Sequence, residues 1–238
     1  MRARAVLALL LGVVLATTAT LAGDDRPPRS LDELERQLTS APDDIQAANA
    51  YRRSVIQTGA YDRALGFFET LVAANPKAAN AYLNYGFAYV DKIPAAGSIT
   101  QVILANSALT QFTASIELRP TWIAYYTRGA SYLFWPKIFN RAALGVADLE
   151  KALAIQRSEP KRSYHVRTFV ALGDGYWKID DLPRARATWQ NGLDEFPGHA
   201  SLVSRLNADT ALLARIIDEA FDPTRRVDTD LSELWSAQ

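Results

Sequence analysis

The feature of this sequence that most constrains its fold is a residue spacing that recurs along the chain. A small residue is followed four positions later by an aromatic one, and eight positions after that comes a proline. The spacing occurs as Ala64, Phe68 and Pro76, as Ala108, Phe112 and Pro120, and as Ala185, Trp189 and Pro197. Such recurrence indicates a chain built from stacked copies of one supersecondary unit.

A second spacing accompanies the first. A glycine followed three residues later by a tyrosine occurs as Gly86 and Tyr89, as Gly129 and Tyr132, and as Gly173 and Tyr176. Arg52 and Val55 take these positions in the first copy, and Gly145 and Leu149 begin a fourth, degenerate copy of the first spacing. Apolar residues recur at helical intervals, with Gly and Pro as breaks and without the alternation typical of strands. An all-α fold is predicted.

Together these residues resemble the tetratricopeptide repeat (TPR) family over about residues 44 to 197. The resemblance implies a right-handed solenoid of about four helix pairs. In each pair, small residues lie where the helices cross, an aromatic fills the space beside them and proline follows the second helix. The physical chemistry agrees, because glycine and alanine permit close approach and proline cannot continue a helix. Gly59 and Tyr61 fit the turn inside the first pair.

The rest of the chain divides around this repeat region. We expect a signal peptide at 1–22, a linker and short N-terminal helix at 23–41, the repeat domain at 42–220, and a tail at 221–238 with a short helix at Leu231 to Trp235. Ser30 and Glu33 have the spacing of a capping box, which marks a helix start. Ala200 to Ala220 is predicted to form one C-terminal capping helix over the open end of the solenoid.

The N-terminus has the pattern of a secretory signal. Arg2 and Arg4 precede the almost wholly aliphatic stretch Ala5 to Leu15, and small residues follow up to a cleavage position after Ala22. The alternative is that the apolar stretch is retained as a membrane anchor. We expect cleavage, which predicts a periplasmic or secreted protein without stable membrane insertion.

Composition and the lack of motifs argue against several functions. Lys+Arg and Asp+Glu both number 26, so the chain has no net field that would attract nucleic acid. It has no cysteine, which excludes disulfides, thiol nucleophiles and cysteine-bound metals. His165 and His199, the only histidines, lack metal-ligand spacing and are interpreted as surface or cap residues. No catalytic residue, cofactor or metal site is predicted, and an enzyme is not expected.

In TPR proteins the first helix of each unit lines a concave groove, and the resemblance assigns groove positions here. The predicted partner-binding residues are Asn49, Arg53, Asn80, Phe87, Asp91, Tyr126, Phe134, Arg167, Asp174 and Trp177. Aromatic residues concentrate between Trp122 and Phe139; most are expected in the core, whereas Tyr126 and Phe134 fall on another face. A surface that mixes aromatic, polar and charged groups suits an extended peptide or a helix.

These observations predict a non-enzymatic exported scaffold that binds a protein or peptide partner through this groove. The alternative is a small-molecule-binding or transport accessory protein whose pocket is closed by two insertions, Lys92 to Ser98 and Phe134 to Arg141. Because insertions in solenoids form loops that often bind, the search for a site begins between Asp91 and Arg141. Self-association into a homo-oligomer is left open by Leu212, Leu213, Ile216 and Ile217 at the solenoid end.

Overall fold

The computed structural model describes residues 29–223 and 225–236, and the predicted signal peptide at 1–22 lies outside them. In these residues α-helices follow one another without a strand. The helices are α1 Leu31–Ser40, α2 Ile45–Thr58, α3 Tyr61–Ala74, α4 Ala79–Lys92, α5 Ser98–Leu118, α6 Trp122–Leu133, α7 Ala142–Ser158, α8 Val166–Lys178, α9 Leu182–Glu195, α10 Ala200–Asn207, α11 Thr210–Ala220 and α12 Glu233–Ser236. Short 3₁₀ turns lie at Ile93–Ala95, Lys137–Phe139 and Ser163–His165. The predicted all-α fold is confirmed.

Helices α2 to α9 form four successive pairs that match the repeat units. Within each pair the two helices pack together, and the second helix of one pair packs against the first helix of the next. The first helices also contact each other, α2 with α4 and α6 with α8. Helix α1 packs against α2, and α10 packs against α9. The result is a solenoid in which the first helices share one side.

In two of the pairs, a glycine of the first helix meets an aromatic residue of the second helix where the two helices cross. A Cβ atom added to Gly86 would lie 2.4 Å from the ring of Phe112, and one added to Gly173 would lie 2.1 Å from the indole nitrogen of Trp189. Both aromatic side chains are fully buried. Packed interiors do not accept overlaps this close without moving a helix or a ring. The structure therefore confirms the helix-crossing role predicted for these glycines.

Two local signals in the sequence also act as predicted. Ser30 Oγ accepts a hydrogen bond from Glu33 N at 3.2 Å, and Ser30 N donates to the Glu33 carboxylate at 2.8 Å, which completes the capping box of α1. Helix α2 ends at Gly59, whose φ of 71° is left-handed and costs glycine little. Helix α3 then begins at Tyr61.

The prediction of one helix from Ala200 to Ala220 is wrong, because the segment breaks into α10 and α11. Ala208 is extended, and the Asp209 carboxylate accepts from Leu212 N at 2.8 Å, so it caps a new helix. Arg186 donates to the carbonyl of Ala208 at 3.3 Å and thereby satisfies an acceptor that the break exposes. Leu213, on the new helix, lies in the C-terminal core.

In residues 29–223 and 225–236 the core consists of three apolar clusters along the solenoid. One extends from α1 through the first unit to α4, one lies between the second and third units, and one extends from the third unit to α11. The middle cluster includes Leu231, which is distant in sequence from the helices around it. The tail that follows α11 therefore returns to the middle of the molecule.

Candidate functional site

The tail lies across the side of the solenoid that the first helices share. We call the surface formed by α2, α4, α6 and α8 the first-helix face, and residues 225–236 the tail. Hydrogen bonds or ion pairs join the tail to Asn49, Arg52 and Arg53 on α2, to Asp91 on α4 and to Arg167 on α8. The tail thus contacts the first, second and fourth units at once.

Arg52 lies at the centre of the polar contacts beneath the tail. Its fully buried guanidinium donates to Asn84 Oδ1 at 2.9 Å, Asp91 Oδ2 at 3.0 Å, Asn49 Oδ1 at 3.0 Å and the carbonyl oxygen of Thr229 at 2.7 Å. The guanidinium carbon also lies 4.6 Å from the ring centre of Phe87. A buried charge is tolerated when an opposite charge and hydrogen bonds compensate it. Arg52 has both, and one of its acceptors belongs to the tail.

The first-helix face binds main-chain groups of the tail. Arg52 Nη2 donates to the Thr229 carbonyl, and the Leu231 amide donates to Asn49 Oδ1 at 3.0 Å. The Thr229 hydroxyl donates to Asp91 Oδ1 at 2.5 Å. Buried main-chain donors and acceptors need partners, and here side chains supply those that a sheet or water would otherwise provide. The face therefore recognises a segment of backbone as well as its side chains.

Leu231 is the apolar anchor of the tail. It is 5% exposed. Its cluster contains Leu83, Phe87, Ala108, Phe112, Ile116 and Ala124, and the tail residues Leu234 and Trp235 pack against it partly buried. Burying a leucine side chain contributes about 1.5–3 kcal/mol. The hydrophobic contribution of the tail is thus concentrated near one residue.

Two cations at the edges of the face pair with acidic residues of the tail. Arg53 Nη1 lies 3.5 Å from Asp230 Oδ2, and Arg167 Nη2 lies 2.5 Å from Glu233 Oε2. The arginine side chains are 55% and 41% exposed, so each pair contributes only about 0–1 kcal/mol. Pairs of this kind set register and preference for acidic segments more than total affinity.

Asp230 is held in its charged form by its neighbours. Burial raises the pKa of this carboxyl, but hydrogen bonds from Asn49 and Ser232, together with the charge of Arg53, outweigh burial and lower it. Asn49 Nδ2 is 2.8 Å from Asp230 Oδ1, and the main-chain nitrogen of Ser232 is 2.9 Å from the same oxygen. The docked tail therefore favours a deprotonated Asp230.

Five of the ten predicted residues contact the tail or belong to the cluster around Leu231. They are Asn49, Arg53, Phe87, Asp91 and Arg167. Tyr126, a sixth predicted residue, packs against the C-terminal cluster and stacks on Trp122 with ring centres 5.2 Å apart, and burial raises the pKa of its phenol. The face combines aromatic, polar and cationic groups, and a chain segment lies on it.

The other four predicted residues have contacts elsewhere in the solenoid. The main-chain nitrogen of Asn80 donates to Asp43 Oδ1 at 2.7 Å, which fixes the start of α4, and its side-chain nitrogen donates to the Asp43 carbonyl at 2.8 Å. Asp174 is fully buried and accepts two hydrogen bonds from Arg205, at 2.6 and 2.7 Å, which hold α10 against α8. Phe134 packs edge-on against Phe221 at 5.2 Å, and Trp177 packs against the C-terminal core. Asn80 and Asp174 thus have structural partners.

A separate cavity of about 480 Å³ lies at the C-terminal end of the solenoid. Its lining includes Trp135 and Lys137 from the second insertion, Trp177 and Asp180 near the end of α8, and Asp218 from α11. Two of these lining residues form an ion pair, with Lys137 Nζ 2.6 Å from Asp180 Oδ1. No residue of the first insertion, 92–98, lines this cavity, so the two insertions do not close it together.

Sequence reasoning missed Arg52 and the tail as parts of the site. Arg52 occupies the position that glycine holds in the later repeats. A large cation at a helix crossing was the one feature of the sequence that could have pointed to a site there. The tail gave none, since Asn49 and Leu231 are 182 residues apart. Local patterns do not report a contact at that distance.

The interpretation of His165 as a surface residue is wrong, although its capping role is present. His165 is buried beside the ring of Trp122, and burial lowers its pKa. Its Nδ1 accepts a hydrogen bond from the Arg162 main-chain amide at 3.3 Å.

Residues 29–223 and 225–236 contain no cluster of three or more side chains suited to a metal. None of the helices in these ranges is both long and apolar enough to cross a membrane.

The fold resembles that of solved TPR proteins. TTC0263 from Thermus thermophilus is 23% identical, with a TM-score of 0.55 over 77% of this chain and 89% of its own. MamA is 16% identical, with a TM-score of 0.53 over 73% and 91%. YrrB, a TPR protein with an unusual peptide-binding site, is 15% identical, with a TM-score of 0.52 over 82% and 93%. The chain has the TPR fold. No protein-family model and no curated protein matches the sequence.

Proposed function

We propose that this protein is a non-enzymatic, exported TPR scaffold whose first-helix face binds an extended segment of a partner protein. One observation carries the proposal: side chains of α2 bind the main chain of a segment without regular structure, through Arg52 to the Thr229 carbonyl and Asn49 to the Leu231 amide. A surface that already satisfies backbone groups in this way is suited to peptides. The shared fold with YrrB, which has a peptide-binding site, supports the same conclusion.

The charges at the face support recognition rather than catalysis. Arg52 and Asp91 are buried and paired with each other at 3.0 Å, and both also bond to the tail. Arg53 and Arg167 are exposed cations at its edges. General acid–base catalysis needs a titratable group within reach of a substrate proton. The groups here have fixed partners that match a bound segment instead.

Export rests on the N-terminal pattern of residues 1–22. A fusion of residues 1 to 25 to a reporter that is active only outside the cytoplasm should give activity. Substituting Arg2 and Arg4 with glutamate should abolish it, since secretory signals need a basic start. A reporter that stays silent with the native segment contradicts export and leaves the binding proposal unaffected.

Partner binding is tested by reversing exposed charges without disturbing the fold. The tagged full chain is used to capture proteins from the periplasmic extract, alongside an Arg53→Glu/Arg167→Glu variant. Arg157→Glu is the matched control, because Arg157 on α7 is similarly exposed, at 57%, but lies away from the tail contacts. A protein captured by the wild type and the control, and lost with the double variant, supports the proposal. Equal capture by all three contradicts it.

A small-molecule function has one structural feature in its favour, the cavity beside Trp135 and Trp177. Native mass spectrometry of the purified chain tests it. A bound small ligand that is lost in Trp177→Ala, together with no protein captured in the charge-reversal experiment, would replace the scaffold proposal with this alternative. Retention of every protein partner in Trp177→Ala would place the function on the first-helix face.

A further inference from the structure

We infer that the tail is a built-in competitor for the first-helix face, and that the partner carries an acidic, leucine-anchored segment resembling Asp228 to Trp235. The inference rests on the proposed function and names the chemistry of its partner. The tail shows which groups the face accepts. A carbonyl bonds to Arg52 and a hydroxyl to Asp91. A carboxylate lies between Asn49 and Arg53, and a leucine lies in the middle apolar cluster.

The contacts define a short pattern. Thr229, Asp230 and Leu231 are consecutive, and each meets a different part of the face: the buried Arg52–Asp91 pair, the cationic edge and the apolar cluster. Glu233 then meets Arg167 two residues further along. A five-residue segment therefore reproduces these main contacts of the tail if it has, in order, a hydroxyl-bearing residue, an acidic residue, leucine, any residue and a second acidic residue.

The tail is held loosely enough to be displaced. Apart from Thr229 and Leu231, its side chains are exposed or half-buried. The side chains of its two ion pairs are 32–55% exposed, and residues 225–231 form no helix or strand. Only three residues separate Phe221, which follows α11, from the tail. A short tether gives the tail an effective concentration on the order of millimolar, so it competes with any free segment without binding irreversibly.

The tail also covers groups that would otherwise lack partners. Without it, Asp91 loses the Thr229 hydroxyl and Arg52 loses one of its four acceptors, while Leu83 and Phe87 lose Leu231 above them. An exposed apolar and charged surface of this kind promotes unwanted association. A displaceable internal segment protects the face until a partner with the same contacts arrives.

The test measures binding of a fluorescent peptide with the sequence of residues 225–236 to the full chain by anisotropy. In wild type the attached tail competes, so binding is weak. Leu231→Asp places a charge in the apolar cluster and should release the tail, which strengthens peptide binding at least 10-fold. Val227→Asp is the matched control, because Val227 is an exposed apolar residue of the same tail, and it should bind like wild type.

A second variant guards against misfolding. Asp230→Ala removes the contacts with Asn49 and Arg53 from a partly exposed side chain, and it should strengthen peptide binding about 3-fold or more while the far-UV circular dichroism stays unchanged. The same peptide carrying Leu231→Asp should fail to bind any chain. This control peptide shows that binding depends on the leucine anchor.

The outcomes separate this inference from the proposed function. Equal binding of the peptide to wild type and Leu231→Asp would overturn the competitor role, while leaving a face that binds peptides. No binding to either Leu231→Asp or Asp230→Ala would overturn the partner chemistry, and the charge-reversal capture then decides the proposed function independently. A wild-type dimer in sedimentation that disappears in Leu231→Asp would mean exchange of tails between copies, which overturns competition within one chain.

Discussion

Replacing Arg52 with methionine should destabilise the fold strongly, because the change leaves Asp91 as an unpaired charge in the interior. The ion pair is almost inaccessible to solvent, with side chains 1% and 2% exposed. Removing one partner of such a pair costs about 3–5 kcal/mol. Methionine is an unbranched side chain that can pack on Phe87, so loss of packing adds little. The expected change in the free energy of unfolding is therefore about 3–5 kcal/mol.

A double-mutant cycle identifies the cause of that loss. Arg52→Met/Asp91→Leu removes both charges together, and buried ion pairs replaced by apolar residues of similar volume are often near neutral in stability. We expect the double variant to recover at least about 2 kcal/mol relative to the sum of the single variants, a coupling typical of residues in one network. Urea unfolding followed by circular dichroism measures all four chains.

Two results would refute this reasoning. A loss below about 1 kcal/mol in Arg52→Met would mean that the pair is solvated or dispensable, since ordinary surface substitutions stay within about 0.5 kcal/mol. Additive single variants, with coupling below about 0.5 kcal/mol, would mean that Arg52 and Asp91 act independently.

The remaining predictions concern packing, capping and pH. Gly173→Ala should destabilise by about 1–3 kcal/mol or more, because its Cβ would overlap Trp189, whereas Gly66→Ala, where a Cβ meets nothing within 4 Å, should stabilise by about 0.5–1 kcal/mol in urea unfolding. Ser30→Ala should cost about 1 kcal/mol through loss of the α1 cap, measured the same way, and an unchanged midpoint would contradict the cap. Docking lowers the pKa of Asp230. The stabilisation that the charged carboxylate gives to the docked tail is therefore complete above the ordinary pKa of 3.8, and it is lost as the pH falls below 3.8 through the lowered pKa. Because the chain has no cysteine, a fluorophore on Val227→Cys should report loosening of the tail as the pH falls below the ordinary carboxyl pKa, and Asp230→Asn should reduce the pH dependence.

The repeat units could be predicted because their determinants are local and periodic. Gly86 and Phe112 show this well: the spacing predicts that a small and a large residue meet at a helix crossing, and the structure places them in contact. The capping box at Ser30 and the left-handed Gly59 are likewise encoded within a few residues. Such signals need no knowledge of the rest of the chain.

The break at Asp209 and the docked tail could not be predicted in the same way. Helical periodicity continues across Asn207 to Thr210, and a capping aspartate inside a helical pattern resembles an ordinary surface residue until packing favours the break. The tail is polar, short and distant from its partners in sequence. Its position depends on a surface that exists only once the solenoid has formed.

The tail also changes how the solenoid should respond to stress. Each repeat of a solenoid contacts mainly its neighbours, so stability is nearly a sum of local terms and the ends can unfold separately. Here one segment bonds to α2, α4 and α8 simultaneously. With the tail in place, loosening the first unit should therefore also strain the fourth, so we expect the chain to unfold cooperatively. If the tail is displaced, the same repeats should become a more compliant array whose curvature adjusts to whatever occupies the face.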